Sequence, residues 1–206
     1  CVDIINLGEE EGNPHFVGVG KILLALNFGL LTSQYGDIVV DDYYNGKDQV
    51  VLKPKFNTQK EVYERIQKLL EEAIAALENP NNKRGLDAKK GDLLYQGDVS
   101  KWIKFAWSLK ARYYNHLSKK SSIYNADEII AACAKGFNGD GMDAEFPYLS
   151  GGQLIDENPW SSWGGFESET NPRYFAWTQF FVNMLTAFPV SNKLYEDPRI
   201  SKIMKG

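Results

Sequence analysis

Five aromatic side chains in one late segment are the strongest candidates for a ligand-binding site. The segment around them is rich in glycine and serine and has little helical period, which predicts a loop, and loops often carry binding residues. A flat indole face offers apolar C–H surface that matches the apolar face of a sugar ring, so the pattern predicts carbohydrate stacking. The alternative is that the same rings only pin a long loop to the body of the protein. The five residues are Trp160, Trp163, Phe166, Tyr174 and Trp177.

No group of residues stands out for bond-breaking chemistry. A glycosidase needs two carboxyl groups held roughly 5 to 10 Å apart across a cleft. Paired carboxylates such as Asp41-Asp42 are adjacent in the chain, and we interpret them as solvated charges. His15 and His116 are the only histidines, and no cysteine or carboxylate stands at metal-ligand spacing from either. The sequence therefore predicts a protein that is not an enzyme and has no cofactor.

Residues 138–143, with the sequence Asn-Gly-Asp-Gly-Met-Asp, have the composition of a calcium-binding loop. A calcium loop of the helix–loop–helix type places a glutamate at its twelfth position, and that spacing is absent. We predict a turn rather than a metal site.

The composition describes an ordered globular protein. Of the 206 residues, 43% are hydrophobic and 24% are charged. The net charge of -4 argues against nucleic acid as a partner, because its phosphates require a basic surface. The longest apolar run, Ile22 to Leu31, contains Asn27 and falls short of the roughly 18 residues that a membrane span needs. We predict a buried core helix there.

The two cysteines do not define a disulfide framework. Cys1 could be the acylated residue of a mature lipoprotein, but a predicted helix begins by about His15, without the long tether that usually follows a lipid anchor. We expect Cys1 to be an ordinary residue at a truncation point. Cys133 falls in an alanine-rich helical stretch, which predicts a small buried thiol.

Hydrophobic periodicity predicts helices joined by polar loops. Residues 1–14 are predicted to form a loop because they hold glycines, a proline and an acidic run. A helix follows over 15–34, ended by Gly36. After an extended connection, Thr58 and Glu61 form a capping box that begins a helix through Leu77.

The second half of the chain continues this pattern. Asp98 or Ser100 is predicted to cap a helix to about residue 118, with Trp102 as a core anchor and Trp107 as either a core or a contact residue. A short helix begins after Asn125 and runs through residue 133. Two further helices are predicted at about 176–188 and after residue 198.

Five to seven paired helices predict an all-α fold, a tetratricopeptide-like α-solenoid with long irregular loops. No clean repeat is visible, so the repeat assignment depends mainly on the resemblance described next. We predict one helical domain over 1–206, with a helical-repeat core at 12–135. An irregular aromatic-rich excursion follows at 136–178, and further helices at 179–206.

Several short motifs occur in a fixed order along the chain, densely from about residue 12 to 118 and sparsely afterwards. Each is weak by itself, and the order makes them specific. They are Gly12-Asn13-Pro14, Tyr35-Gly36-Asp37-Ile38, Pro54, Thr58-Gln59, Tyr63, Ile66, Leu70, Ala73, Leu77, Gly97-Asp98, Lys101-Trp102, Lys104-Phe105-Ala106, Ser108-Leu109, Arg112 and Asp197-Pro198-Arg199.

In this order the motifs resemble those of the SusD/RagB family of outer-membrane nutrient-binding lipoproteins. Two positions depart from the family pattern. Val39 stands where the family has a proline after Ile38, and Trp107 stands where the family has an asparagine. Both departures change local geometry, and the first leaves the shape of the loop after Asp37 open.

The resemblance implies a location and a partner. Family members sit on the outer face of the outer membrane of Bacteroidetes-type bacteria and act as the lid of a SusC-like, TonB-dependent transporter. They are longer than this chain, so the resemblance implies an internal fragment whose lipid anchor lies elsewhere. The implied ligand is a glycan or, in the RagB-like branch, a peptide.

Two other functions stay open at this stage. A helical-repeat scaffold would bind only protein, with the aromatic residues as interface hot spots. A glycoside hydrolase on a helical framework would need an acid–base pair, and none can be named.

Overall fold

A computed structural model describes residues 1–42, 51–87, 91–148, 179–186, 188–190 and 193–195. The chain divides into two compact units, Cys1–Phe146 and Pro147–Gly206. The described part of the first unit contains the helices α1 (Val2–Glu11), α2 (Pro14–Tyr35), α3 (Gln59–Leu77), α4 (Val99–Asn115) and α5 (Ala126–Lys135).

Consecutive helices of the first unit pack antiparallel. The Gln59 side chain, at the start of α3, donates to the carbonyl of Thr32 near the end of α2 (2.9 Å). Tyr63, one turn into α3, is hydrogen-bonded to His116 just beyond α4 (3.1 Å). The amide of Phe137, just after α5, donates to the hydroxyl of Ser108 in the middle of α4 (3.0 Å). The all-α class with paired, tetratricopeptide-like helices is therefore confirmed.

Helix α2 is the centre of the first unit. By length and composition it is apolar enough to cross a membrane, with a mean hydropathy of 1.6 over 18 residues. It packs instead against α1, α3 and α4. Its single lysine, Lys21, pairs with Glu72 of α3 at 2.7 Å. These neighbours are those of a core helix, as the sequence predicts.

Glycine lets α2 and α4 approach closely. A Cβ at Gly29 would collide with the ring and the hydroxyl of Tyr113, so only glycine fits beneath that ring. Tyr113 is 1% exposed, and its hydroxyl donates to the carbonyl of Leu26 (3.4 Å). α2 therefore contacts α4 directly, although α3 lies between them in the sequence.

The predicted loop over residues 1–14 is wrong, because Val2–Glu11 forms α1. Its two glycines have different roles: Gly8 lies within the helix, and Gly12 ends it. Gly8 is buried against α2, where a Cβ would lie 2.9 Å from a methyl carbon of Val17. Gly12 ends the helix in the left-handed conformation (φ 71°), and its amide donates to the carbonyl of Glu9 (3.2 Å).

Three helices begin at side chains that the sequence indicates. At α3 the capping box is confirmed: the Thr58 hydroxyl accepts from the Glu61 amide, and the Glu61 carboxylate accepts from the Thr58 amide. Asp98, rather than Ser100, caps α4, since its carboxylate accepts from the amides of residues 100 and 101. Asn125 caps α5 in the same way.

The core of the first unit lies between α2, α3 and α4. Trp102 is 2% exposed and is a core anchor, as predicted. Cys133 corrects another prediction: it is a free thiol and is exposed, since α5 turns Ala132 rather than Cys133 toward the interior.

The described part of the second unit holds α6 (Gln179–Thr186) and a hairpin of β1 (Phe188–Val190) and β2 (Lys193–Tyr195). The strands are antiparallel, with Phe188 opposite Tyr195. The sequence predicted helix through Phe188, whereas α6 ends at Thr186 and Phe188 lies in a strand. A hairpin of three-residue strands is too short to show a clear period of two in the sequence. The helix predicted after residue 198 lies outside the described residues.

Candidate functional site

The five aromatic residues proposed from the sequence lie outside the described residues. Trp160, Trp163, Phe166, Tyr174 and Trp177 all fall in the range 149–178. Their role in ligand binding stays a prediction.

The first unit has a cavity of about 250 Å³. Its walls come from the start of α1, one face of α2 and the segment that leads into α4, together with one residue of α4 and one that follows α5. Most of the lining is apolar, and two aspartates are the acidic groups among the lining residues. The lining residues are Ile4, Phe16, Val19, Leu23, Leu86, Asp87, Gly91, Asp92, Leu93, Leu94, Trp102 and Phe146.

Asp92 organises the wall of this cavity. One carboxylate oxygen accepts from the amide of Tyr95 (3.1 Å). The other accepts from the amide of Gly97 (2.8 Å) and from the indole nitrogen of Trp102 (3.0 Å). A carboxylate whose oxygens accept from three donors is held in one orientation and has a structural role. It orients Trp102 at the base of the cavity.

Tyr95 is buried in the core and packs against Trp102, which lines the cavity. Burial raises the pKa of its hydroxyl, and the carboxylates of Asp143 and Asp92 raise it further. The hydroxyl stays protonated and donates to the carbonyl of Met142 (3.0 Å). The Tyr95 ring meets the Trp102 ring edge to face, with centroids 5.1 Å apart.

The lining of the cavity determines which kind of ligand it can hold. Its walls offer apolar surface, and the Asp92 carboxylate is already occupied by three donors. A polyhydroxylated ligand needs several convergent hydrogen-bonding groups, so this cavity fits an apolar group rather than a sugar. The sequence did not point to the cavity, because one wall belongs to α1, which was predicted to be a loop.

A second cluster surrounds Trp107 on the outer side of α4. The ammonium of Lys135 lies 4.2 Å from the centre of the Trp107 ring, and that of Lys110 lies 5.6 Å from it. Lys110 is buried and pairs with the carboxylate of Glu71 at 2.7 Å. The Trp107 ring is therefore in contact with two cations of the protein itself.

Tyr114 completes this cluster. The Lys110 ammonium lies 5.8 Å from the centre of its ring. Burial raises the pKa of the Tyr114 hydroxyl, and the carboxylates of Glu128 and Glu71 raise it further. The hydroxyl is therefore neutral over the physiological range, and the charges around Trp107 come from Lys110, Lys135 and Glu71.

The calcium-like segment at 138–143 is held to α4 by lysines. The Lys101 ammonium donates to the carbonyl of Gly141 (2.9 Å), and the Lys104 ammonium donates to the side-chain oxygen of Asn138 (2.8 Å). Two oxygens of the kind that calcium would use thus serve as acceptors for lysine. Within the described ranges, no three His, Cys, Asp or Glu side chains are grouped so as to hold a metal ion.

The chain matches a known protein family over nearly its whole length. Residues 2–206 match a SusD-like family described as starch-binding and associating with the outer membrane. The chain belongs to the SusD-like family. The resemblance seen in the motifs is therefore confirmed, and it extends past residue 118, where the motifs become sparse. None of the curated proteins matches the chain.

Solved structures of this family are similar to the chain. A SusD/RagB family protein from Bacteroides thetaiotaomicron is 32% identical, with a TM-score of 0.62, and the match covers 72% of this chain and 31% of that one. A SusD-like protein from Bacteroidetes is 26% identical, with a TM-score of 0.68, covering 89% and 35%. A chitin-binding protein is 28% identical, with a TM-score of 0.57, covering 69% and 30%. The chain spans about a third of the length of these structures.

Proposed function

We propose that this SusD-like chain belongs to a cell-surface nutrient-binding subunit that captures a glycan for import. The observation that carries this proposal is the family match over residues 2–206, whose description is starch-binding and association with the outer membrane. A similar solved structure is that of a chitin-binding protein, which supports a carbohydrate ligand. The subunit is anchored by a lipid outside this chain and passes its ligand to a SusC-like, TonB-dependent transporter.

The proposed mechanism is capture without chemistry. The SusD-like family is one of binding proteins, and among the described residues Asp92 and Glu71 are committed to structural contacts. In this proposal the rings of Trp160 and Trp163 stack on the apolar faces of sugars. Stacking together with a few hydrogen bonds holds the glycan while its glycosidic bonds stay intact.

Calorimetric titration of the full-length protein tests this proposal. The ligands are oligosaccharides derived from starch and from chitin, with a mixture of short peptides as the comparison. We expect one of the glycans to bind and to be recovered unhydrolysed. The double variant Trp160→Ala, Trp163→Ala is expected to lose most of the affinity, since each stacked ring contributes part of the binding energy.

Trp107→Ala is the matched control, because the Trp107 ring is covered by Lys135 and is not expected to touch the ligand. Hydrolysis products would overturn the non-catalytic proposal. Retention of full affinity by the double variant would remove the aromatic segment from the site and leave it an anchoring role.

A peptide ligand is the second candidate, since the solved structure from Bacteroides thetaiotaomicron is that of a SusD/RagB family protein. Binding of the peptide mixture without binding of glycans would favour it. A protein-only scaffold predicts that neither class binds, while co-purification with a TonB-dependent transporter persists and weakens in the Trp160 and Trp163 variant.

A further inference from the structure

The Asn138-Gly139 pair lies in the segment that follows α5, and both residues are exposed. In an asparagine–glycine pair, the side-chain amide lies next to a backbone nitrogen whose residue has no side chain to hinder approach. Around Gly139 the space is open, since an added Cβ would find its nearest neighbour, the terminal carbon of Met142, 4.0 Å away.

Lys104 adds a positive charge at the reacting group. Its ammonium donates to the side-chain oxygen of Asn138 at 2.8 Å, and it also lies 3.6 Å from the sulfur of Met142. A cation at this oxygen stabilises the negative charge that develops there when a nucleophile attacks the side-chain carbonyl carbon.

We propose that Asn138 is a site of spontaneous deamidation and that Lys104 promotes the reaction. The backbone nitrogen of Gly139 loses its proton and attacks Cγ of Asn138, forming a carbon–nitrogen bond. The side-chain nitrogen leaves as ammonia, and a five-membered succinimide remains. Water then opens the ring at either carbonyl and leaves aspartate or isoaspartate, so that the net change is amide plus water to carboxylic acid plus ammonia.

In the aspartate product the new carboxylate lies beside Lys104. It carries one more negative charge than asparagine and forms a charge-assisted hydrogen bond with the same ammonium, which is stronger than the bond to a neutral amide. The modification therefore changes the charge of the segment that α4 holds through Lys101 and Lys104.

Peptide mapping by mass spectrometry tests the proposal on the intact chain. The protein is kept in mildly alkaline and in mildly acidic buffer, and the converted fraction at residue 138 is followed over time. We expect conversion at Asn138 that is faster in alkaline buffer, because the attacking nitrogen must lose a proton. Asn45-Gly46 is the other asparagine–glycine pair of the sequence and serves as an internal reference.

Two variants separate the chemistry from the role of Lys104. Gly139→Ala has room for its methyl group and is expected to slow conversion strongly. Lys104→Met is expected to slow it several-fold. Lys101→Met removes the contact to Gly141 and leaves Asn138 untouched, so it should convert at nearly the original rate.

If Asn138 is not deamidated, the proposed site is wrong. Conversion in Lys104→Met that equals or exceeds that of the original chain would overturn the promoting role of Lys104. The same sample unfolded in urea provides a second check, because the unfolded chain loses the Lys104 contact and should convert at Asn138 more slowly than the folded protein.

Discussion

Trp102 and Trp107 lie five residues apart on α4, and they belong to different environments. Trp102 is 2% exposed, and its indole nitrogen donates to Asp92. Trp107 is only partly buried, and its ring is flanked by the ammonium groups of Lys135 and Lys110. The same residue type thus anchors the core at one position and forms a cation–π cluster at the other. Helical geometry separates the two faces, and the neighbouring segments decide the role of each ring.

Composition alone therefore does not identify a ligand-binding tryptophan. Of the two tryptophans on α4, one is buried in the core and the other has an ammonium group over its ring, although both lie in a helix with charged residues. An aromatic residue offers a platform for a sugar only where the protein does not already cover its face.

The largest expected effect is that of Trp102→Ala. Removing a fully buried indole from a packed core costs about 3–5 kcal/mol of unfolding free energy. Trp107→Ala is the matched comparison and should cost less than half as much, because its ring is already partly exposed. Urea unfolding followed by circular dichroism measures both. Equal costs would show that the two environments do not differ energetically.

Asp92→Ala should have the next largest effect. It leaves the amides of Tyr95 and Gly97 and the indole nitrogen of Trp102 without their acceptor. Unsatisfied buried donors cost about 1–3 kcal/mol, so the unfolding free energy should fall by that amount. Asp98→Ala is the control, because it removes an exposed helix cap at the other end of the same turn. A smaller loss for Asp92→Ala than for Asp98→Ala would contradict the role given to Asp92.

Glu71→Gln and Lys110→Met probe the cluster around Trp107 from its two sides. The Lys110 side chain is 6% exposed, whereas that of Glu71 is 63% exposed. Glu71→Gln leaves a buried ammonium without its carboxylate and should cost about 1 kcal/mol. Lys110→Met leaves only a hydrated carboxylate and should cost less. The urea midpoints of the two variants are compared. A larger loss of stability in Lys110→Met than in Glu71→Gln would contradict this prediction.

Lys135→Met should have the smallest effect. It removes the cation 4.2 Å from the Trp107 ring, an interaction at an exposed site that contributes about 0.5 kcal/mol. Tryptophan fluorescence of a background in which the other four tryptophans are replaced by Phe reports the change around Trp107 more sensitively than stability does. If Lys135→Met lost as much unfolding free energy as Asp92→Ala, the cluster around Trp107 would be as important for stability as the contacts around Trp102.

Local sequence rules predicted the helices that carry strong local signals. The apolar stripe and capping box of α3 gave its start at Thr58, and the periodicity around Trp102 gave α4 and its buried face. The family could be inferred from motifs whose order along the chain was specific. The ligand-binding residues predicted at 160–177 are proposed because they are aromatic, and they lie outside the described residues.

Long-range packing is what the sequence could not supply. The sequence predicts a loop around Gly8, yet Gly8 lies within α1 and permits its contact with Val17, a residue of the next helix. Cys133 was expected in the interior, but its position on α5 is set by which side of that helix meets α4. The cavity beside Asp92 needs α1, α2 and the segment before α4 at once, and no local pattern encodes such a meeting.

The packing of Tyr113 on Gly29 shows how closely neighbouring helix pairs of this unit depend on one another. In a repeat array each pair of helices is stabilised by its contacts with the neighbouring pairs. Here the fourth helix fills a notch in the second, so a fragment that stops after Leu77 would leave that notch open to water. The smallest piece of this unit that could stand alone must include the helix that bears Tyr113.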